Sequence, residues 1–167
     1  MTSDDVLRRL QRLEDRAELR ELVDRYGLAT DDSDWETLRE MFTAGVTMAG
    51  VTGRDEVIEM LRSIRDTYGR TIHTVTGQVL EFGDDNRASG VVSGRSELAI
   101  AGQTVVCAMR YLDTYERVDG RWRFARRRLR FSYALPWEEM HEAMTADKAI
   151  RLPETGAPLP GSGKGAS

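Results

Sequence analysis

The sequence predicts an α+β domain in which helices come first and cover one face of a curved antiparallel sheet. Three observations carry this. Up to Gly69 apolar residues recur at spacings of three and four, and after Gly69 the period changes to two. The two-residue run Asp119-Gly120 joins two of the alternating segments and is the strongest short hairpin signal in the chain.

From Asp4 to about Thr30, Val6, Leu10, Leu13 and Ala17 mark one helical face. Leu19, Leu22, Val23 and Tyr26 then mark a shifted one, which implies a kink or an outer first part packed against something else. A second helix follows in "DWETLREMF", with Trp35, Leu38, Met41 and Phe42 as its stripe. "GVTMAGVTG" reads as a short strand and turn. "RDEVIEMLRSIRDTYG" reads as a third helix with Gly69 as its cap. The strands are "TIHTVTGQVLEF", "RASGVVSGRSELAI", "QTVVCAMRYLDTYERV" and "RWRFARRRLRFSYAL". "PWEEMHEAM" reads as a short helix from about residue 136, with proline near its first position. Residues 1–150 form one domain by this reading, and residues 151–167, rich in Gly, Pro and Ser, a flexible tail. "LPETG" and "GSGKGAS" in that tail lack the context their motifs require and are expected to be coincidences.

With 40% hydrophobic and 31% charged residues the chain can bury a core. A net charge of −4 argues against nucleic acid as the main partner, because phosphate binding needs a basic surface. The lone Cys107 cannot form an internal disulfide and suits a reducing cytoplasm. The polar N-terminus fits neither a signal peptide nor a membrane span.

"RYGLATDDSDW" holds three aspartates within four positions. Ser33 and Glu36 have capping-box spacing ahead of the second helix, and Asp32 and Asp34 can serve the same helix start. Asp31 has no such reason. It ends the first helix, where a carboxylate meets the negative end of the dipole, so it calls for a partner. Of two histidines, His141 lies in a polar segment and reads as solvated, whereas His73 lies on the first long strand among threonines and β-branched residues. His73 is either a satisfied structural group or, paired with Asp31, a general base with its tautomer fixed.

On the second long strand the face carrying Ala88, Gly90, Gly94 and Ser96 is small. It either meets a close-packed helix or leaves a cavity. On the last strand Arg127 shares its face with Ala125, Leu129, Phe131 and Tyr133, while Arg126, Arg128 and Arg130 alternate on the other. A bulge at Gly120 would bring Asp113 opposite Arg127 and set Met109 and Tyr111 on the face of Leu129. Arg127 is then either a cross-strand ion pair or an anion-stabilising group.

"YGLATD", "DWETLREMF", "TIHTVTG" and "YLDTYERVDGRWRFARR" together resemble the SnoaL-like branch of the nuclear transport factor 2-like superfamily, from about Leu10 to Tyr133. Scytalone dehydratase, bile-acid dehydratase and hexachlorocyclohexane dehydrochlorinase share this pattern. The resemblance implies a cone-shaped α+β barrel, a curved and mostly antiparallel sheet wrapped around N-terminal helices, with a deep pocket inside. It implies His73 as catalytic base, Asp31 as the acid orienting it, and Tyr26 and Arg127 as further catalytic residues. Where bile-acid dehydratase has another aspartate this chain has Ser96, and scytalone dehydratase's second sheet histidine has no counterpart.

The expected function is therefore that of a cofactor-free lyase, dehydratase or dehydrohalogenase-like. It would abstract a carbon-bound proton from a small apolar organic substrate, polycyclic or polyketide-type among the options. Isomerase or cyclase chemistry, or a non-catalytic binding or accessory role, are the alternatives. Ser96, Met109, Tyr111, Leu129, Phe131 and Trp35 are the expected substrate contacts. No metal and no cofactor is expected, since a lone histidine with one acid is a poor metal site and no Gly-rich nucleotide fingerprint occurs. Apolar residues on both sheet faces (Val106, Ala108 and Leu112 opposite Cys107, Met109 and Tyr111) predict a homo-oligomer. The resemblance favours a trimer over a dimer. The segment from Pro136 is expected to close the pocket mouth.

Overall fold

The computed structural model describes residues 2–84, 86–145, 147 and 149–152. Helix α1 spans Ser3–Asp32, α2 Trp35–Glu40 and α3 Arg54–Thr67. The strands are β1 (Phe42–Met48), β2 (Val51–Thr52), β3 (Thr71–Phe82), β4 (Arg87–Ile100), β5 (Gln103–Val118) and β6 (Arg121–Pro136). They form one sheet in the order β2-β1-β6-β5-β4-β3, parallel only between β1 and β6. The helices precede and cover the long strands, so the predicted α+β architecture holds. The expected tail, apart from Arg151 and Leu152, lies outside the described residues.

Helix α1 opens on a capping box between Thr2 and Asp5 and runs unbroken, yet it is buried only from Asp15 onward. Val6, Leu7, Leu10 and Leu13 are exposed, so the first face of the two read from sequence does not contribute to the core. Asp15 ties the middle of the helix to the sheet. Its carboxylate accepts from the Trp122 indole at 3.2 Å and pairs with Arg117.

Several boundaries differ from expectation for local reasons. Ser33 does not start α2. It terminates α1 in the left-handed region (φ 58°), and the N–H of Asp34 bonds back to the Ala29 carbonyl at 2.8 Å. Asp34 is the cap of α2, accepting from the Thr37 N–H at 3.1 Å. Phe42 belongs to β1, not to α2, and packs edge-on against Tyr26 in the core. Gly69 is not a left-handed cap: Tyr68 ends α3 in an extended conformation, and Gly69 donates its N–H to the Ala99 carbonyl.

The hairpin at Asp119-Gly120 is confirmed, with positive φ at both residues as a type I′ turn requires. Ala101-Gly102 makes the same turn between β4 and β5. The register shift that brings Asp113 opposite Arg127 exists, but its bulge is Ala125, not Gly120. A second bulge at Ser132 turns Tyr133 to the outer face, away from Arg127. Glycines on β4 meet neither a helix nor a cavity. A Cβ at Gly90 would stand 2.9 Å from the Val79 carbonyl oxygen, and one at Gly94 3.0 Å from that of Thr74. They let β3 approach as the sheet curves.

After Pro136 a 3₁₀ helix spans Trp137–Glu142, and Ala143, Met140 and Ala149 pack with Val106, Tyr133 and Leu135 on the outer face. Ala149 and Arg151 then bond along Ala134. Among the described residues no helix is long and apolar enough to cross a membrane.

Candidate active site

The end of α1 meets the start of β3, and this junction organises the site. β3 is an edge strand, so main-chain groups on its free side need partners from elsewhere. Asp31 supplies one. Its Oδ2 accepts the His73 backbone N–H at 2.7 Å, and its Oδ1 lies 2.6 Å from the ring Nδ1 and accepts from Thr71 Oγ1 at 2.9 Å. Burial works to raise the Asp31 pKa. The hydrogen bonds from the His73 ring and backbone, the His73 charge and the Thr71 hydroxyl outweigh it and hold the carboxyl below its ordinary range. An ionised Asp31 requires the proton on Nδ1, which in the neutral ring leaves Nε2 with its lone pair. Among the described residues Nε2 has no hydrogen-bond partner within the protein.

His73 forms part of the wall of a cavity of about 90 Å³ between the helices and the sheet. Tyr26 also lines it, as do all six expected contacts: Trp35, Ser96, Met109, Tyr111, Leu129 and Phe131. Ser96 Oγ faces Met109 Sδ at 3.8 Å. Sequence reasoning missed Thr30, Met48, Thr71, Leu98 and the whole contribution of α3 with its following residue: Leu61, Ile64, Arg65 and Tyr68. The period of three and four found that face, but periodicity does not separate a helix stripe that fills a core from one that walls a cavity.

Asp31 stands behind His73 and is not itself part of the wall. Arg127 is not at the wall either, which corrects its assignment as a group that meets substrate. It is 1% exposed, its guanidinium stacked 3.8 Å from the ring centre of Tyr111, 4.0 Å from Tyr26 and 4.5 Å from Phe124. The Ala125 bulge turns it inward, and the two tyrosines stand between it and the cavity. Its Nε lies 3.5 Å from Asp113 Oδ1, a buried ion pair in which neither of those atoms has a hydrogen-bond partner among the described residues. Asp113 Oδ2 accepts from the Tyr115 hydroxyl at 3.0 Å. Burial pushes the Asp113 carboxyl up, against the pull of Arg127 and Tyr115. Burial likewise raises the phenols of Tyr26 and Tyr111, against the pull of Arg127, so both stay protonated donors.

The described part of the segment after Pro136 does not close this cavity. Among the described residues none beyond Phe131 lines it, and the 3₁₀ helix packs on the opposite face of the sheet. Among the described residues no three His, Cys, Asp or Glu side chains gather as a metal site would require.

Residues 11–128 match the family model of the SnoaL-like domain. No curated protein sequence matches the chain significantly. Among solved structures, a scytalone dehydratase-like protein from Novosphingobium aromaticivorans superposes with a TM-score of 0.69 at 23% identity, covering 76% of this chain and 90% of that one. A hexachlorocyclohexane dehydrochlorinase from Novosphingobium barchaimii gives 0.69 at 24% identity, over 76% of this chain and 92% of its own. A Mycobacterium tuberculosis protein of unknown function gives 0.64 at 26% identity, over 72% and 78%. These likenesses are to the fold.

Proposed function

The chain belongs to the SnoaL-like domain family, and from that premise we propose that it is a cofactor-free lyase acting on a small apolar substrate. The reading is carried by one observation: Asp31 holds both the ring and the main chain of His73 while His73 faces a largely apolar cavity. His73 Nε2 takes a proton from carbon. The C–H electron pair becomes the new π bond, and the group on the adjacent carbon leaves with its bonding pair as hydroxide or halide. Tyr26, kept protonated by burial, is the donor that meets the departing group. Arg127 acts through Tyr26 and Tyr111, orienting their rings from behind, and so is a positioning residue.

The cavity, at about 90 Å³, is smaller than the ~150 Å³ that accommodates benzene in a protein interior. This favours a substrate whose reacting end enters while the rest stays at the mouth. The hydroxyls of Tyr26, Tyr68, Tyr111 and Ser96 at the wall suit an enolate as readily as a leaving group, which makes isomerisation or cyclisation the second reading. A homo-oligomer, trimer before dimer, joined through the outer sheet face and located in the cytoplasm completes the proposal. Exposed Val79 and Val91 on that face support the assembly.

The test is a panel of compact cyclic alcohols and halides, assayed for elimination with wild type and His73→Ala. Removal of the base should reduce turnover by about 10²–10⁴-fold with folding intact. Full activity in His73→Ala overturns the assignment, and binding without turnover across the panel points to a carrier.

A further inference from the structure

The mechanism above leaves one charged group at the cavity wall without a task. Arg65 sits in the last turn of α3 and lines the same cavity as His73. Its Nε donates to Ser33 Oγ at 3.0 Å, Nη2 to the Asp31 carbonyl at 3.4 Å, and Nη1 to the Gly69 carbonyl. All three acceptors are neutral oxygens. They account for three of the five N–H bonds of a guanidinium, and among the described residues no carboxylate pairs with Arg65.

Asp31 does not fill this role. Asp31 offers Arg65 only its main-chain carbonyl, because both of its carboxylate oxygens are engaged by His73 and Thr71. Arg65 is thus a permanent cation, fixed at three points between the ends of α1 and α3, beside a largely apolar wall. The fixing matters because an arginine already held in place loses little freedom when it takes a ligand.

We propose that Arg65 docks a carboxylate of the substrate at the cavity rim, so that the protein acts on organic acids in preference to their neutral counterparts. This rests on the cavity being the substrate site of the proposed lyase. A cavity of about 90 Å³ is small enough for one occupant to meet both walls, with its carboxylate on Arg65 and a C–H bond toward His73. The carboxylate anchors the molecule and the dyad does the chemistry.

The experiment compares isobutyrate with isobutyramide, two probes of the same shape that differ in charge, by NMR titration of the full-length protein. In wild type isobutyrate binds about tenfold or more tightly than isobutyramide, as a charge-assisted hydrogen bond implies. In Arg65→Gln that ratio falls to about one while isobutyramide affinity stays the same, and Arg65→Lys keeps part of the preference. A clamp of purely structural importance would weaken both probes together and leave the ratio alone. Equal affinities in wild type, no saturable binding of isobutyrate, or an unchanged ratio in Arg65→Gln each overturn the proposal. The ratio in His73→Ala should match wild type, so failure of the base and failure of the anchor are read separately.

Discussion

One carboxylate, that of Asp31, holds His73 at two points, the ring Nδ1 at 2.6 Å and the backbone N–H at 2.7 Å. The ring's tautomer and the strand's position therefore depend on the same side chain. In Asp31→Asn the acceptor pair becomes one acceptor and one donor, so the backbone contact and the Nδ1–H tautomer cannot both be kept. The ¹⁵N shifts of the neutral ring should report Nδ1–H in wild type and a mixture of tautomers in the variant. Identical ring spectra would remove Asp31 from its orienting role.

Acid stability follows from the same contact. The folded Asp31 carboxyl takes up a proton less readily than the unfolded one, whose value is near 3.8. Its stabilisation is thus complete above that value and is lost as pH falls through the lower folded-state value. Urea midpoints from pH 6 to pH 3 should show a constant deficit for Asp31→Asn at the upper end and a shrinking one below about pH 4. A deficit that widens on acidification would contradict the sign.

Gly27 on α1 faces the strand, and a Cβ there would stand 3.3 Å from His73 Cβ. Alanine should gain about 0.5–1 kcal/mol of helix propensity and give part of it back to crowding. Because His73 must shift by a few tenths of an ångström, turnover should fall roughly tenfold. Stability near wild type with reduced turnover is the expected pairing in Gly27→Ala. Unchanged turnover would make the glycine incidental.

The Asp113–Arg127 pair predicts an asymmetry. Asp113→Asn leaves a buried guanidinium that cannot lose its charge, at a cost of about 3–5 kcal/mol. Arg127→Met leaves a carboxyl that burial already pushes up, and it can bind a proton instead. With the folded value raised, that variant is most stable below the ordinary carboxylate range and loses stability as pH rises through the folded value. Urea denaturation of both variants at pH 4 and pH 7 measures this. Equal deficits at both pH values in Arg127→Met would show the carboxyl stays ionised.

Much of the site was legible because Asp31 stood against its local electrostatic preference and the chain offered few histidines to answer it. The alternation of β4, β5 and β6 likewise named five cavity residues, Ser96, Met109, Tyr111, Leu129 and Phe131. The missed parts have physical reasons. Ser33 carries the spacing of a capping box, but ending α1 demanded a left-handed residue at that point, and tertiary geometry took precedence. Arg65 was not singled out because nothing in α3 reveals that the end of α1 lies beside it. Arg127 was placed on the correct face, but the rings that shield it come from α1 and β5, elements distant in sequence.

The two bulges of β6 have a consequence for how this chain tolerates change in length. Side chains along a strand behave as a wave of period two, and Ala125 and Ser132 are two phase slips within it. The first slip inverts the wave and the second inverts it back, so the ends of the strand stay in step whatever happens between them. Deleting Ala125 and Ser132 would leave every remaining pair between β5 and β6 in place, so Leu129 and Phe131 would stay on the cavity side and Arg126, Arg128 and Arg130 on the outer face. The interior wall of this protein is thus set by the pairing of β6 with β5.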